Sequence, residues 1–323
     1  LYLTLTGRND WASQLANSST SSFFYPSVGL SGVISEMIQM PSFIDYMKVR
    51  GSFSSVGMPY PRNLTSPTYE YNEATQSWKP KTHYPIGDLK PERTDSWEVG
   101  LDMKLFKDFN LGLSWYLANT FNQTFDPQIS VSSGYTTIYL QTGYVRNTGL
   151  ELSLGYGHTW NNNFRWDSNF TLSHNKNKIK ELVRDYVHPE TGELINKDRL
   201  DVGGLGKARF ILKEGGTLGD LYTQSDLKRD DNGMVDIDPT GIVAIENNLP
   251  DIKLGSVFPK ANLAWSNHFS WKGISLSALF TARIGGIVYS ATEAAMDQYG
   301  VSERSALARD NGGVLVNNRT LVD

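Results

Sequence analysis

The residues best suited to chemistry in this 323-residue chain are few, and their spacing argues against most reactions. There is no cysteine, which removes disulfides, thiolate metal sites and a cysteine nucleophile. The five histidines, at 83, 158, 174, 188 and 268, show no paired metal-ligand spacing. Asp230-Asp231-Asn232-Gly233, followed by Asp236 and Asp238, resembles part of a calcium loop. With Gly233 in the sixth position, however, Lys228 comes first and Pro239 last, where an EF-hand needs Asp and Glu. A solvated acidic turn is the better reading, and Asp230, Asp231, Asn232 and Asp236 stand as a weak candidate calcium site. Gly203-Gly204-Leu205-Gly206-Lys207 lacks the glycine spacing of a phosphate loop and the Ser/Thr after its lysine. No Gly-x-Ser-x-Gly elbow occurs, and Glu92 and Asp95 sit among basic residues. These absences predict a protein with no catalytic residues and no cofactor, and so not an enzyme.

Aromatic side chains in polar stretches are the stronger signal. Segment 57–94 carries Tyr60, Tyr69, Tyr71, Trp78 and Tyr84 among prolines and polar residues. Segment 120–144 carries Phe121, Phe125, Tyr135, Tyr139 and Tyr144. Flat rings beside amides suit the faces of sugars, because a ligand held on apolar surface needs few polar groups to orient it. Tyr69, Tyr71, Trp78, Tyr84, Tyr135 and Tyr139 are therefore the candidate contact residues. For any one of them, packing between loops explains the ring equally well.

The elements that would position these loops read as β-strands. A formal charge of −4 offers no basic footprint for nucleic acid. No stretch approaches the roughly 18 apolar residues of a membrane helix, but a membrane barrel escapes that test because its strands alternate. Over 96–105, Trp97, Val99, Leu101, Met103 and Leu105 share one parity against Ser96, Glu98, Gly100, Asp102 and Lys104. One face of such a strand is apolar and the other polar. After a turn at 107–108 the pattern resumes with Phe109, Leu111, Leu113, Trp115 and Leu117. It recurs around Met47–Ser54, Leu150–Tyr156, Phe164–Leu172, Ala261–Phe269 and Ile274–Ile284; with Leu1–Thr6 and Pro26–Ser35 the candidate strands number nine.

Short links fall near 36–42, 107–108, 159–163 and 271–273, and long ones at 7–25, 57–94, 120–143, 175–259 and beyond 285. Alternation of short and long connections is what a membrane barrel with tight turns at one end and large loops at the other requires. Trp11, Trp97, Trp115, Trp160, Trp166, Trp265 and Trp271 lie in or near strands, where interface girdles place them. The fold class expected is all-β, an antiparallel up-and-down transmembrane β-barrel. A secreted soluble β-rich glycan-binding protein, its rings filling a core, is the alternative.

Several segments resemble the C-terminal barrel half of SusC/RagA-type transporters. They include Gly7-Arg8-Asn9-Asp10-Trp11, Tyr25-Pro26-Ser27-Val28-Gly29-Leu30 and Val49-Arg50-Gly51-Ser52-Phe53. Leu89–Thr94 running into Ser96–Leu101, Val145–Glu151, and Phe170–Ile179 with its Ser-His-Asn-Lys-Asn-Lys run also fit. The resemblance covers nearly the whole chain, with its motifs in order. It implies a TonB-dependent importer of the Bacteroidetes outer membrane with a 22-stranded barrel, a plug, a TonB box and a SusD-like lipoprotein lid. Its substrates would be oligosaccharides or, in some members, peptides.

On this reading residues 1–323 are part of the barrel, set in outer-membrane lipid, with 7–25, 57–94, 120–143 and 175–259 as extracellular loops. The plug and TonB box are expected to be absent from this segment, so TonB would act through a region outside it. The loop aromatics would touch substrate or lid. Which substrate is carried is not legible in the residues.

Overall fold

The computed structural model describes residues 1–323 apart from 16–17, 19, 61–68, 81–82, 85–89, 126–136, 139, 161–162, 188–191, 193, 238–241, 317–318 and 322–323. Nine strands form one antiparallel sheet in strict chain order. They are β1 (Tyr2–Trp11), β2 (Ser22–Val33), β3 (Ile44–Met58), β4 (Glu92–Leu105), β5 (Phe109–Phe125), β6 (Leu140–Trp160), β7 (Phe164–Glu181), β8 (Ala261–Trp271) and β9 (Ile274–Ile284). Each pairs only with its neighbours in sequence, the up-and-down order of a barrel wall. No helix among the described residues is long and apolar enough to cross a membrane, which leaves strand crossing untouched.

Register turns the sequence alternation into two faces. Val49, Leu101, Leu113, Leu152, Leu172 and Leu263 are successive cross-strand partners, and so are Met103, Leu111, Leu154, Phe170, Trp265 and Phe280. These rows stay open to the surroundings: Leu154 is 42% exposed, Trp265 47% and Phe280 60%. An apolar surface of this extent, carried by so many strands, is far beyond what a soluble monomer shows to water. It is the lipid-facing band of a membrane barrel. The opposite parity carries Ser52, Glu98, Asp102, Ser114, Glu151, Thr171 and Asn262 and faces the lumen.

The links separate into two ends. At one end lie 34–43, 106–108, 161–163 and 272–273; at the other 12–21, 59–91, 126–139 and 182–260. Phe106 and Lys107 at φ 51° and 67°, and Lys272 and Gly273 at φ 46° and 86°, make the tight left-handed turns that two paired strands need. Two expectations change here. The first pair of links, 12–21 and 34–43, are equal in length, so the alternation of short and long begins only after β3. Strands β2 to β7 also run past the ~9–11 residues needed to cross a bilayer at a tilt, up to 21 in β6, while β1, β8 and β9 keep to 10 or 11. The longer strands therefore rise beyond the lipid at the long-link end.

There the loops build a small core of their own. Leu15, Tyr60, Val145, Ile179, Leu182, Val183, Leu200 and Leu212 are buried together, with Phe23, Tyr186 and Leu218 packed on them. Val145 and Ile179 come from the lumenal parity of β6 and β7, so this core lies on the inner side of the wall. Gly215 N donates to Ile179 O at 2.8 Å and Ile179 N to Gly216 O at 2.9 Å, which ties the returning segment to the end of β7.

The chain divides into two compact units. The first comprises Leu1–Leu200, Leu212–Leu218 and Pro259–Gly285 and holds the nine-stranded sheet; the second comprises Asp201–Ile211, Gly219–Phe258 and Gly286–Asp323. A four-stranded sheet of Arg199–Leu205, Ala208–Lys213, Asp220–Leu227 and Ile245–Ser256 supplies most of the second unit's strands. Its buried Asp220 carboxylate receives Lys253 Nζ at 2.5 Å. Helices Ala291–Gln298 and Glu303–Asp310 follow, capped by the hydroxyls of Ser290 and Ser302. Neither these short helices nor the four-stranded sheet shows as a period in the chain.

Candidate functional site

The exposed aromatic face of a loop hairpin is the best-formed candidate contact surface. Strands Tyr69–Asn72 and Ser77–Pro80 pair antiparallel with Tyr71 opposite Trp78 and Tyr69 opposite Pro80. Asn72 closes the turn: its Oδ1 accepts from Ala74 N at 3.0 Å and Thr75 N at 3.2 Å, and Gln76 takes φ 45°. That side-chain acceptor lets a short polar run reverse the chain without a glycine. Since i and i+2 share a face, Tyr69, Tyr71 and Trp78 stand together. The Tyr71 and Trp78 rings are 5.1 Å apart at 56°, and Tyr69 and Trp78 are two-thirds exposed.

Of the other expected contact residues, Tyr84 lies in a two-residue strand, His83–Tyr84, paired in parallel with Thr137–Ile138. This brings the loop after β3 beside the loop after β5. Tyr135 and Tyr139 lie outside the described residues, as does Asp238.

The lumenal face holds a constellation that the sequence did not announce. Arg50 on β3 donates to Glu98 Oε1 at 2.8 Å and Asp102 Oδ2 at 3.3 Å, both on β4, and to Ser114 Oγ on β5 at 2.6 Å. It reaches across because Gly100 is its register partner: a Cβ there would meet the guanidinium carbon at 2.6 Å. Gly149 likewise makes room for the Tyr116 ring, which a Cβ would meet at 2.2 Å. A groove of about 600 Å3 runs along this wall past Arg50, Asp102, Ser114, Glu151, Asn262 and Arg283. With the Arg50, Glu98 and Asp102 side chains about 36–43% exposed, the ion pairs hold side-chain positions more than they stabilise the fold. The signal was available in principle, since Arg50, Glu98 and Asp102 all sit at polar-parity positions, but only register shows that they meet.

Two arrangements with the look of chemistry resolve into structure. Asp167, His268 and Ser277 are successive register partners, with His268 Nδ1 2.8 Å from Ser277 Oγ. Both oxygens of Asp167 are taken by Arg165 at 2.7 Å, however, so the carboxylate does not orient the imidazole as a charge relay demands. In the acidic turn, Asp230 Oδ1 accepts from Asn232 N and Met234 N, each at 2.9 Å, and Asp236 pairs with Lys228 at 2.6 Å. That bond to Asp236 holds the Lys228 ammonium above its usual range. Among the described residues no three His, Asp or Glu groups converge as a metal cage. Asp230 and Asp236 are thus engaged within the turn.

Comparison with known proteins places the wall. Residues 1–210 match the model of the family described as TonB dependent receptor-like, beta-barrel. One TonB-dependent receptor of Formosa agariphila is 28% identical over 211 residues, covering 63% of this chain and 18% of the relative. A second from the same organism is 26% identical over 313 residues, covering 89% of this chain and 30% of the relative. Among solved structures, the RagAB peptide transporter superposes with a TM-score of 0.67 at 20% identity, over 87% of this chain and 31% of that one. The chain thus spans less than a third of the length of these relatives. Matched over most of its length and built as an up-and-down membrane wall, the chain belongs to the TonB-dependent receptor-like β-barrel family of the bacterial outer membrane.

Proposed function

We propose that this chain is wall and loops of a TonB-driven importer of oligosaccharides, closed from outside by a SusD-like surface lipoprotein. The long-link end is the extracellular end. The observation that carries the reading is the hairpin face of Tyr69, Tyr71 and Trp78: three rings left open to solvent on a loop, where packing alone would bury them. Flat apolar rings beside amide and hydroxyl groups match the faces of pyranose rings better than they match a bare ion. Peptides are the second substrate class, supported by the RagAB peptide transporter's likeness in fold. The wall performs no reaction of its own. It encloses a polar path, and TonB acts through a part of the protein outside residues 1–323.

The test uses the full-length protein in cells with an energised inner membrane. Uptake of a labelled oligosaccharide set and a labelled peptide set is compared for the native protein and for Tyr69→Ala/Tyr71→Ala/Trp78→Ala. The expected result is oligosaccharide uptake reduced at least about tenfold, roughly 1.4 kcal/mol of lost contact, with the amount of folded barrel unchanged. Peptide uptake alone, lost in the variant, would replace the sugar reading; unchanged uptake of both sets would remove the hairpin from function.

A further inference from the structure

The outward face of β7 changes character once, abruptly. From Phe164 through Trp166, Phe170 and Leu172 its even positions belong to the apolar rows, save Ser168, whose hydroxyl accepts from Trp265 Nε1 at 3.0 Å. The next four even positions are His174, Lys176, Lys178 and Lys180, all exposed. Their orientation is fixed by the odd positions, which point the other way. Asn175 and Asn177 donate to Asn147 Oδ1 at 3.1 and 3.0 Å, and Ile179 is wholly buried in the loop core. Lys176 and Lys178 therefore continue the lipid-facing stripe just where the apolar band stops; at Lys180 the register slips, with Val145 opposite Ile179 and Tyr144 opposite Glu181.

On the neighbouring strand Arg146 is the register partner of Lys178, and Thr148 that of Lys176. Arg146 donates to Asn119 Oδ1 at 2.9 Å and to the Tyr144 hydroxyl, and among the described residues it forms no ion pair. Among the described residues none of the three lysines has an ion-pair partner. Farther along the same row Asp95 is engaged by Arg93 and Ser55. Same-face residues on a strand lie ~7 Å apart and adjacent strands ~5 Å apart, so Lys176, Lys178 and Arg146 share a patch about the width of one lipid headgroup, with Lys180 at its edge.

We infer that Lys176, Lys178 and Arg146 bind the phosphorylated headgroup of an anionic lipid in the leaflet at the long-link end. The ligand's acyl chains lie down the Leu172, Leu152 and Leu263 row below. Long lysine stems can lie on the apolar wall while their ammonium groups reach the phosphate plane. Which leaflet this is rests on the orientation given under Proposed function; the lipid site itself does not.

Delipidated full-length protein, titrated in detergent and read by native mass spectrometry, tests the site. The probes are phosphatidylglycerol, phosphatidylcholine with the same acyl chains, and free glycerol phosphate. Each cation near an anionic headgroup contributes about fivefold in affinity. Phosphatidylglycerol should be held about a hundredfold more tightly than phosphatidylcholine. Lys176→Gln/Lys178→Gln should bring the two within about fivefold, and Lys178→Gln alone, which leaves the strand intact, should cost about fivefold. Equal binding of both lipids, or an unchanged preference in these variants, overturns the inference. So does displacement by equimolar glycerol phosphate, which would make the ligand a soluble anion. Because the readout is lipid alone, failed sugar uptake with this preference intact would sink only the importer reading.

Discussion

Leu154 and Leu182 differ by 28 positions and by everything around them. Leu154 sits in the outward row between Leu111 and Phe170 and is 42% exposed; Leu182 sits in the loop core and is wholly buried. In a water-soluble protein the first would be a surface accident. Here both are satisfied, one by hydrocarbon and the other by protein. The wall uses leucine to meet a fluid that conforms to any shape, whereas the loop core uses it to fill a shape already set by neighbours. What separates the two regions is therefore the cost of leaving a gap.

A matched pair of truncations measures that difference, and its larger half is the largest effect expected. Leu182→Ala should cost about 3–5 kcal/mol within the loop core, since the cavity adds to the lost transfer energy. Leu154→Ala should cost only the transfer part, about 2 kcal/mol, because lipid fills the space. Unfolding of the full-length protein in vesicles, with protease sensitivity of segment 182–218 as a local probe, would report both. Equal costs would mean that Leu154 faces protein in the assembled molecule.

Next in size is a parity test on adjacent residues. Leu152 points to the apolar row and Glu151 to the lumenal groove. Leu152→Arg should destabilise the inserted barrel by about 2–4 kcal/mol, as a cation in mid-membrane does. Glu151→Arg should change folded yield little. A reversal of these two results would turn the sheet inside out.

How far the chain could be read depends on the same contrast. Where one face meets lipid and the other water, as in β4 and β5, alternation is strict and the strands are legible from Trp97 through Leu117. At His174 the outward face leaves the lipid, both parities become polar, and the period vanishes from view. The strand nonetheless continues to Glu181, held by the asparagine contacts and by Ile179. Segment 175–259 was expected as loop for that reason. The four-stranded sheet within it has runs such as Arg-Leu-Asp-Val-Gly-Gly-Leu, in which the apolar parity holds only Leu200 and Val202 before Gly204, and Leu205 falls on the polar one, too little to show a period. Two eight-residue helices are too short to show a period, although Ser290 followed by Glu293 is a readable cap. Of the candidate site, the ring types were legible. Their gathering on one hairpin face, and the meeting of Arg50 with Glu98 and Asp102, needed register.

The smallest expected change in stability carries the sharpest contrast. Trp78 is 66% exposed and Trp97 53%, and each is packed against one cross-strand aromatic, Tyr71 at 5.1 Å and Phe53 at 4.7 Å. By exposure and pairing the two are nearly alike; they differ in what lies on the open side. Trp97 stands in a row with Val28, Phe53 and Leu117, so lipid covers it, and Trp97→Ala should lower the heat-modifiable folded band through lost membrane contact. Trp78 stands on a short hairpin that belongs to no larger sheet, and only its Tyr71 contact contributes, about 0.5–1.5 kcal/mol locally. Trp78→Ala should therefore leave the folded band within error, about 0.5 kcal/mol, while uptake falls. If instead Trp78→Ala depletes the folded barrel as Trp97→Ala does, the hairpin is part of the wall's packing, and its rings are not waiting for a ligand.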